Sequence, residues 1–163
     1  MSEIRFRKEK FKELILYLAE KCETDPSFGI SKLGRLLYSC DFTAYVELGQ
    51  PITGAVYQRS DRGPSPQVLS AIREEMHAEG LLFVREASKY GRQEKRPLAL
   101  RSADLASFTG EEVALIDRII GKLWELDSAQ VNVPSLGDVG WRLAEEGETI
   151  PYETAFVVSI DAA

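Results

Sequence analysis

Histidine is almost missing from this chain, His77 being the only one. Histidine is the side chain that ordinarily titrates near neutral pH and the commonest metal ligand, so neither a histidine dyad nor a histidine-clustered metal site has material here. Cysteine is scarce as well: Cys22 and Cys40 stand alone, without CxxC spacing, which excludes a zinc knuckle and a disulfide framework and leaves buried free thiols as the expectation. No run of eighteen apolar residues occurs, and MSEIRFRKEK at the start has no apolar core of the kind a secretory leader needs, so the cytoplasm is the expected compartment and a membrane is not an expected partner. The chain also lacks GxxxxGK[ST], a GxGxxG after a strand, HExxH and a nucleophile elbow. Asp41 with Glu47, and Glu111 with Glu112, are acid pairs of the kind common on surfaces. With no nucleophile, base and orienting group together, catalysis, a cofactor and a metal are all not expected.

What is present is an ordinary soluble composition. The 163 residues are 44% hydrophobic and 28% charged, enough for one domain spanning residues 1–163 with a core of its own. The formal net charge of −6 argues against nucleic acid as the main partner, because phosphate binding needs a concentrated positive face. Charge is distributed unevenly: Arg85 to Arg101 holds six basic and two acidic residues, Asp104 to Ala163 three basic and twelve acidic. Such runs form a solvated surface or a dipolar binding surface.

Helical periodicity dominates the first third. Phe11, Leu14, Ile15, Leu18 and Cys22 recur at spacings of three and four within Ile4–Cys22, with Lys8, Lys10, Lys12, Glu13 and Glu20 expected on the other faces. Pro26 ends this pattern. A second helix is expected after Ser31 as N-cap, with Leu33, Leu36, Leu37 and Cys40 as its stripe, Gly34 marking a close helix crossing, and Asp41 where the chain turns onward; Ala44–Leu48 adds a turn or two before Gly49.

The stretch GQPITGAVYQRSDRGPSP, Gly49 to Pro66, is the one long segment that is neither helix-periodic nor simply charged. Pro51 and Gly54 convert a helical chain into an extended one, and Ala55–Arg59 is expected as a single strand. Gly63-Pro64 ends it, and Ser65 with Pro66 reads as the N-cap and first residue of a third helix over Gln67–Glu79. The stretch is either a crossover that holds two helices together or a surface presenting Tyr57, Arg59 and Arg62 to a partner.

Val68, Leu69, Ile72 and Met76 form the stripe of that third helix, Gly80 caps it, and His77 is expected at the surface or half-buried. Leu81–Glu86 and Pro97–Arg101 flank a basic connection and read as an antiparallel hairpin. A helix followed by a basic hairpin is also the outline of a winged-helix DNA-binding regulator, the alternative reading, with Lys89, Arg92, Lys95 and Arg96 as its phosphate contacts. Glu74, Glu75 and Glu79 on the helix oppose it. Thr109 and Glu112 form a capping box, after which Val113, Leu115, Ile116, Ile119, Ile120, Leu123 and Trp124 build the most apolar helix, expected to be central or else a dimer face. Ala129–Val133 resumes briefly as helix, Trp141, Leu143 and Ala144 form a short one, and Tyr152–Ile160 packs or adds an edge strand. The fold class is therefore mainly α (α+β), a compact helical domain with a small antiparallel β-sheet or hairpin.

The run KLGRLLYSCDFTAYVELGQPITGAVYQRSDRGPSP resembles the signature of the Panacea domain, the SocA-like antitoxin family, and GWRLAEEGETIPYETA is similar to that family's closing motif. The matching segments frame residues from about Lys32 to Phe156. Tyr38, Asp41, Pro51, Gly54, Gly63 and Pro64 are the positions that carry the resemblance as structural motif residues. Where the family has a Ser/Thr-His pair before the tryptophan, this chain has Ser135-Leu136, which removes any polar role of that histidine. The resemblance implies a prokaryotic or phage antitoxin that neutralises a cognate protein toxin by direct contact, or delivers it to a protease or its unfoldase. Trp141 then joins Tyr57, Arg59 and Arg62 as candidate partner-binding residues; the toxin's identity and the oligomeric state are left open.

Overall fold

A computed structural model of the chain describes residues 4–60, 63–89, 92–124, 126 and 144–156. Among these residues the principal elements run in the order α1 (Lys8–Lys21), α2 (Ile30–Leu48), β1 (Tyr57–Ser60), β2 (Gly63–Pro66), α3 (Leu69–Ala78), β3 (Leu82–Lys89), β4 (Arg92–Ala99) and α4 (Gly110–Leu123). The mainly helical α+β reading holds.

The centre of the fold is α1, not α4. From Lys10 to Ala19 only Glu13 escapes full burial, because α1 packs against α2 and β4 and exchanges ion pairs with α3 and α4. Lys10 and Lys12 are thus inside, contrary to their expected place on outer faces. Each has an acid waiting: the Lys10 ammonium lies 2.9 Å from Glu112, and that of Lys12 lies 2.7 Å from Glu75 and 2.8 Å from Glu79. Paired and hydrogen-bonded, a lysine can be buried where a lone one would not be. On α4, by contrast, Leu115, Ile116, Ile119, Ile120 and Leu123 face the core while Glu111, Ala114, Asp117 and Arg118 remain exposed. Its N-terminus has the expected capping box, Thr109 Oγ1 accepting from the Glu112 amide and the Glu112 carboxylate from the Thr109 amide.

Several boundaries move. The first helix starts at Lys8, and residues 4–7 form an arm outside it, the Arg7 amide donating to the Thr53 carbonyl at 2.8 Å. Helix α2 starts at Ile30 with Gly29, not Ser31, as N-cap, and runs unbroken through Ala44 to Gly49, whose φ of 86° supplies the left-handed turn that ends it. Asp41 therefore lies inside the helix and is fully buried. Gly34 does mark a close approach, but to Ser65 and Leu69 at the entry to α3: a Cβ there would stand 3.2 Å from Ser65 Oγ.

The expected single strand is one half of a hairpin. Tyr57 pairs with Pro66, Arg59 with Pro64 and Ser60 with Gly63, so Ser65 and Pro66 belong to β2 rather than to a helix start; α3 begins at Leu69 after Val68. Prolines are tolerated at 64 and 66 because β2 is an edge strand, its far side lying on α2. The other edge of β1 is occupied by the returning chain: Arg59 donates its amide to Glu148, Gly147 to Arg59, and Ile150 to Tyr57. The second hairpin forms where expected, but its strands run further: β3 extends to Lys89 and β4 begins at Arg92, so most of the expected connection is strand, with Leu82 opposite Ala99 and Lys89 opposite Arg92. Cys22 and Cys40 are buried free thiols. No helix among the described residues is long and apolar enough to cross a membrane.

Candidate functional site

The Gly49–Pro66 stretch is organised by one buried carboxylate. Asp41 is fully inaccessible, yet both its oxygens are engaged: Oδ1 accepts from the Thr53 amide at 2.7 Å, and Oδ2 accepts from Thr53 Oγ1 and the Tyr57 hydroxyl, each at 2.6 Å. Burial holds the carboxyl above its ordinary range, and the Thr53 and Tyr57 hydrogen bonds oppose that rise. The same burial pushes the Tyr57 phenol upward, with the Asp41 charge adding to it, so Tyr57 remains a donor. A helix residue thereby clamps the loop twelve positions on and the strand sixteen positions on.

Aromatic rings surround this clamp. Tyr57 meets Tyr38 and Phe42 edge-on at 5.6 Å each, and Phe42 stacks on Tyr152 at 4.6 Å. Tyr152 comes from the returning segment 144–156, and its hydroxyl donates to the Ala55 carbonyl at 2.5 Å; burial, with the Asp41 charge adding, pushes this phenol above its ordinary range too. Tyr38 is covered by the Arg35 guanidinium at 5.0 Å from its ring. These contacts knit α2, the loop, β1 and the C-terminal segment into one unit.

Two glycines in this loop serve different ends. Gly49, at φ 86°, has open space where a Cβ would be. Gly54, at φ 75°, has none: a Cβ would stand 2.2 Å from the Arg5 carbonyl oxygen and 3.4 Å from Ile4 Cγ2. The absent side chain lets the N-terminal arm lie against the loop.

The candidate residues are thereby redistributed. Tyr57, expected on a partner surface, is only 1% exposed and belongs to the core, because its hydroxyl is needed by Asp41. Arg59 is half-buried, donating from Nη1 to the Ala144 carbonyl at 2.7 Å. Arg62 and Trp141 lie outside the described residues, as do the Ser135-Leu136 step, the Ala129–Val133 helix and the end of the Tyr152–Ile160 segment. Tyr38, Asp41, Pro51, Gly54, Gly63 and Pro64 are all buried, on α2, the loop and β2, Gly63 with a φ of 107° at the start of β2. Thr53, Tyr152 and the arm were missed by sequence reasoning. Asp41 had a signal: it sits four positions after Leu37 on the apolar stripe, where an acid must find partners.

As chemistry, the Asp41 cluster is closed, its lone pairs taken up by the protein's own donors. Among the described residues no group of three or more histidine, cysteine or acidic side chains is placed to hold a metal. His77 is exposed, its Nδ1 3.3 Å from the Leu82 carbonyl oxygen. The basic hairpin is only partly available: Arg96 is turned inward onto the carbonyls of Glu23 and Asp25 at 2.5 and 2.8 Å, with its guanidinium near the Phe28 ring, and Arg101 is held by Glu13.

Comparison with known proteins gives one match. The family model described as antitoxin SocA-like, Panacea domain, fits residues 33–141, from α2 past α4. No curated protein and no solved structure matches the chain.

Proposed function

The chain belongs to the SocA-like antitoxin family with a Panacea domain, and from this we propose that it neutralises a cognate protein toxin by binding it directly. The family match over residues 33–141 is the observation that carries the reading. The buried assembly around Asp41 supports a binding module rather than an enzyme: its polar groups are spent on holding the loop, β1 and the arm in place, leaving the surface they shape as the functional part. The cytoplasm is the compartment in which such a protein would meet its toxin.

Co-expression with the neighbouring open reading frame tests the proposal. That reading frame should arrest growth alone and lose its toxicity when this protein is present; unchanged toxicity refutes the antitoxin role. The fate of the toxin separates two modes. Occlusion leaves it intact in a stable complex, whereas delivery to a protease or its unfoldase lowers its level in cells with the protease and not in cells without it.

DNA binding as a winged-helix regulator is the less favoured function. Helix α3 carries Glu74 and Glu75 beside Arg73, with Glu79 at its C-cap and Glu75 and Glu79 paired with lysines of α1, and Arg96 on the hairpin is committed to the α1–α2 connection. A duplex that remains unshifted at low salt removes this alternative.

A further inference from the structure

The N-terminal arm and the loop it lies on carry exposed apolar side chains next to arginines. Ile4 and Phe6 are each 38% exposed and Val56 is 46% exposed; Phe83, Leu100 and Phe156 are exposed elsewhere too, but here three such side chains stand on one arm and the loop beneath it. Ile4 and Val56 meet at Gly54, Ile4 Cγ2 lying 3.4 Å from the position its Cβ would take and Val56 following two residues later, while Phe6 stands two residues along the arm from Ile4. The arm is held there by the Arg7 amide on the Thr53 carbonyl and by the Phe6 ring set edge-on against Phe11 at 5.4 Å. The surface is thus built on the clamped loop.

Arg5 and Arg7 are exposed and form no ion pair or side-chain hydrogen bond among the described residues. The nearby acids of α3 are already used, Glu75 by Lys8 and Lys12, and Glu79 by Lys12. In a chain of net charge −6, these two guanidinium groups, without ion-pair partners among the described residues, stand beside three exposed apolar side chains. Apolar anchors bordered by arginine are the composition of a protein-binding patch.

We propose that Ile4, Phe6 and Val56, bordered by Arg5 and Arg7, are the docking surface for the toxin, and that the toxin meets it with an acidic surface carrying apolar side chains. This rests on the antitoxin reading and names the contact through which it works. The two guanidinium groups steer and orient an acidic partner, and the apolar side chains hold it. The surface depends on Gly54, since any larger residue drives into the Arg5 carbonyl.

The test uses the full chain and the purified product of the neighbouring open reading frame. Arg5→Glu with Arg7→Glu should weaken binding by about tenfold or more and reduce its salt dependence, and Val56→Asp should weaken it comparably, at unchanged melting temperature. Arg85→Glu with Lys95→Glu, on the exposed part of the second hairpin, should bind as wild type. Wild-type affinity in the arm variants overturns the surface while leaving the antitoxin function standing. If the wild-type protein neither binds nor neutralises that product, the antitoxin reading falls, and the surface is then read with a synthetic peptide of alternating glutamate and leucine. Amide shifts at residues 4–7 and 54–56 that vanish with the glutamine analogue support an acidic partner; no shift there, or equal shifts with the analogue, overturns it.

Discussion

Removing the Asp41 carboxylate should come close to unfolding the protein. Alanine at 41 leaves three buried donors, the Thr53 amide, the Thr53 hydroxyl and the Tyr57 hydroxyl, without the acceptor they share. Each unsatisfied buried donor costs about 1–3 kcal/mol, so Asp41→Ala should lose about 3–9 kcal/mol against a typical domain stability of about 5–15 kcal/mol. Tyr57→Phe removes one of the three bonds and should cost about 1.5–3 kcal/mol, since the acceptor is a carboxylate. Asp41→Asn keeps an acceptor for the Thr53 amide and can donate to the two hydroxyl oxygens, so its cost should be about 1–2 kcal/mol. The pH dependence has a definite sign. Burial raises the folded carboxyl above its ordinary 3.8, so the folded protein binds this proton more tightly than the unfolded chain. Stability from that group is present below the ordinary value and is lost as pH rises through the folded value. The asparagine variant lacks this loss, so its deficit relative to wild type should shrink as pH rises above 3.8. Urea denaturation followed by circular dichroism from acid to neutral pH measures all of this. An alanine variant that loses less than about 1 kcal/mol, or an asparagine deficit that grows with pH, would refute the clamp.

Three further outcomes are expected. Gly49→Ala should cost only the left-handed backbone term, about 1–2 kcal/mol, whereas Gly54→Ala should also dislodge the arm, seen as lost hydrogen-exchange protection at the Arg7 amide; equal behaviour of the two variants would contradict the close approach. Lys10→Met should destabilise by about 3–5 kcal/mol by leaving the Glu112 charge buried, and Glu112→Gln added to it should restore most of the loss in thermal melts. Neither cysteine should react with a thiol reagent at pH 8 in the native protein, because burial, aided by the Asp25 charge, pushes Cys22 up to about 12 and burial pushes Cys40 well above its usual value; labelling should follow global unfolding, and fast labelling would show an open core.

The amino-acid sequence alone determined the elements whose signals are local. Helical spacing placed α1, α2 and α4, the Thr109–Glu112 box marked where α4 begins, Gly49 marked where α2 ends, and two apolar runs about a basic tip defined the β3–β4 hairpin. The family signature likewise picked out Tyr38, Asp41, Pro51, Gly54, Gly63 and Pro64, because each residue type is written at its own position. What these residues do was settled only by tertiary structure. By its sequence Tyr57 is open to two places, a partner surface or a buried crossover, and it is in the core, where its hydroxyl donates to a helix residue sixteen positions earlier. Lys10 and Lys12 read as solvent-facing cations, and they are buried because acids about a hundred and about sixty-five positions away meet them. Gly54 read as a turn glycine, and its constraint comes from the carbonyl of Arg5, far behind it in the chain. Local spacing encodes which face of an element is apolar; which charge is neutralised, which hydroxyl is used and which backbone passes close by depend on segments that meet only when the chain has folded.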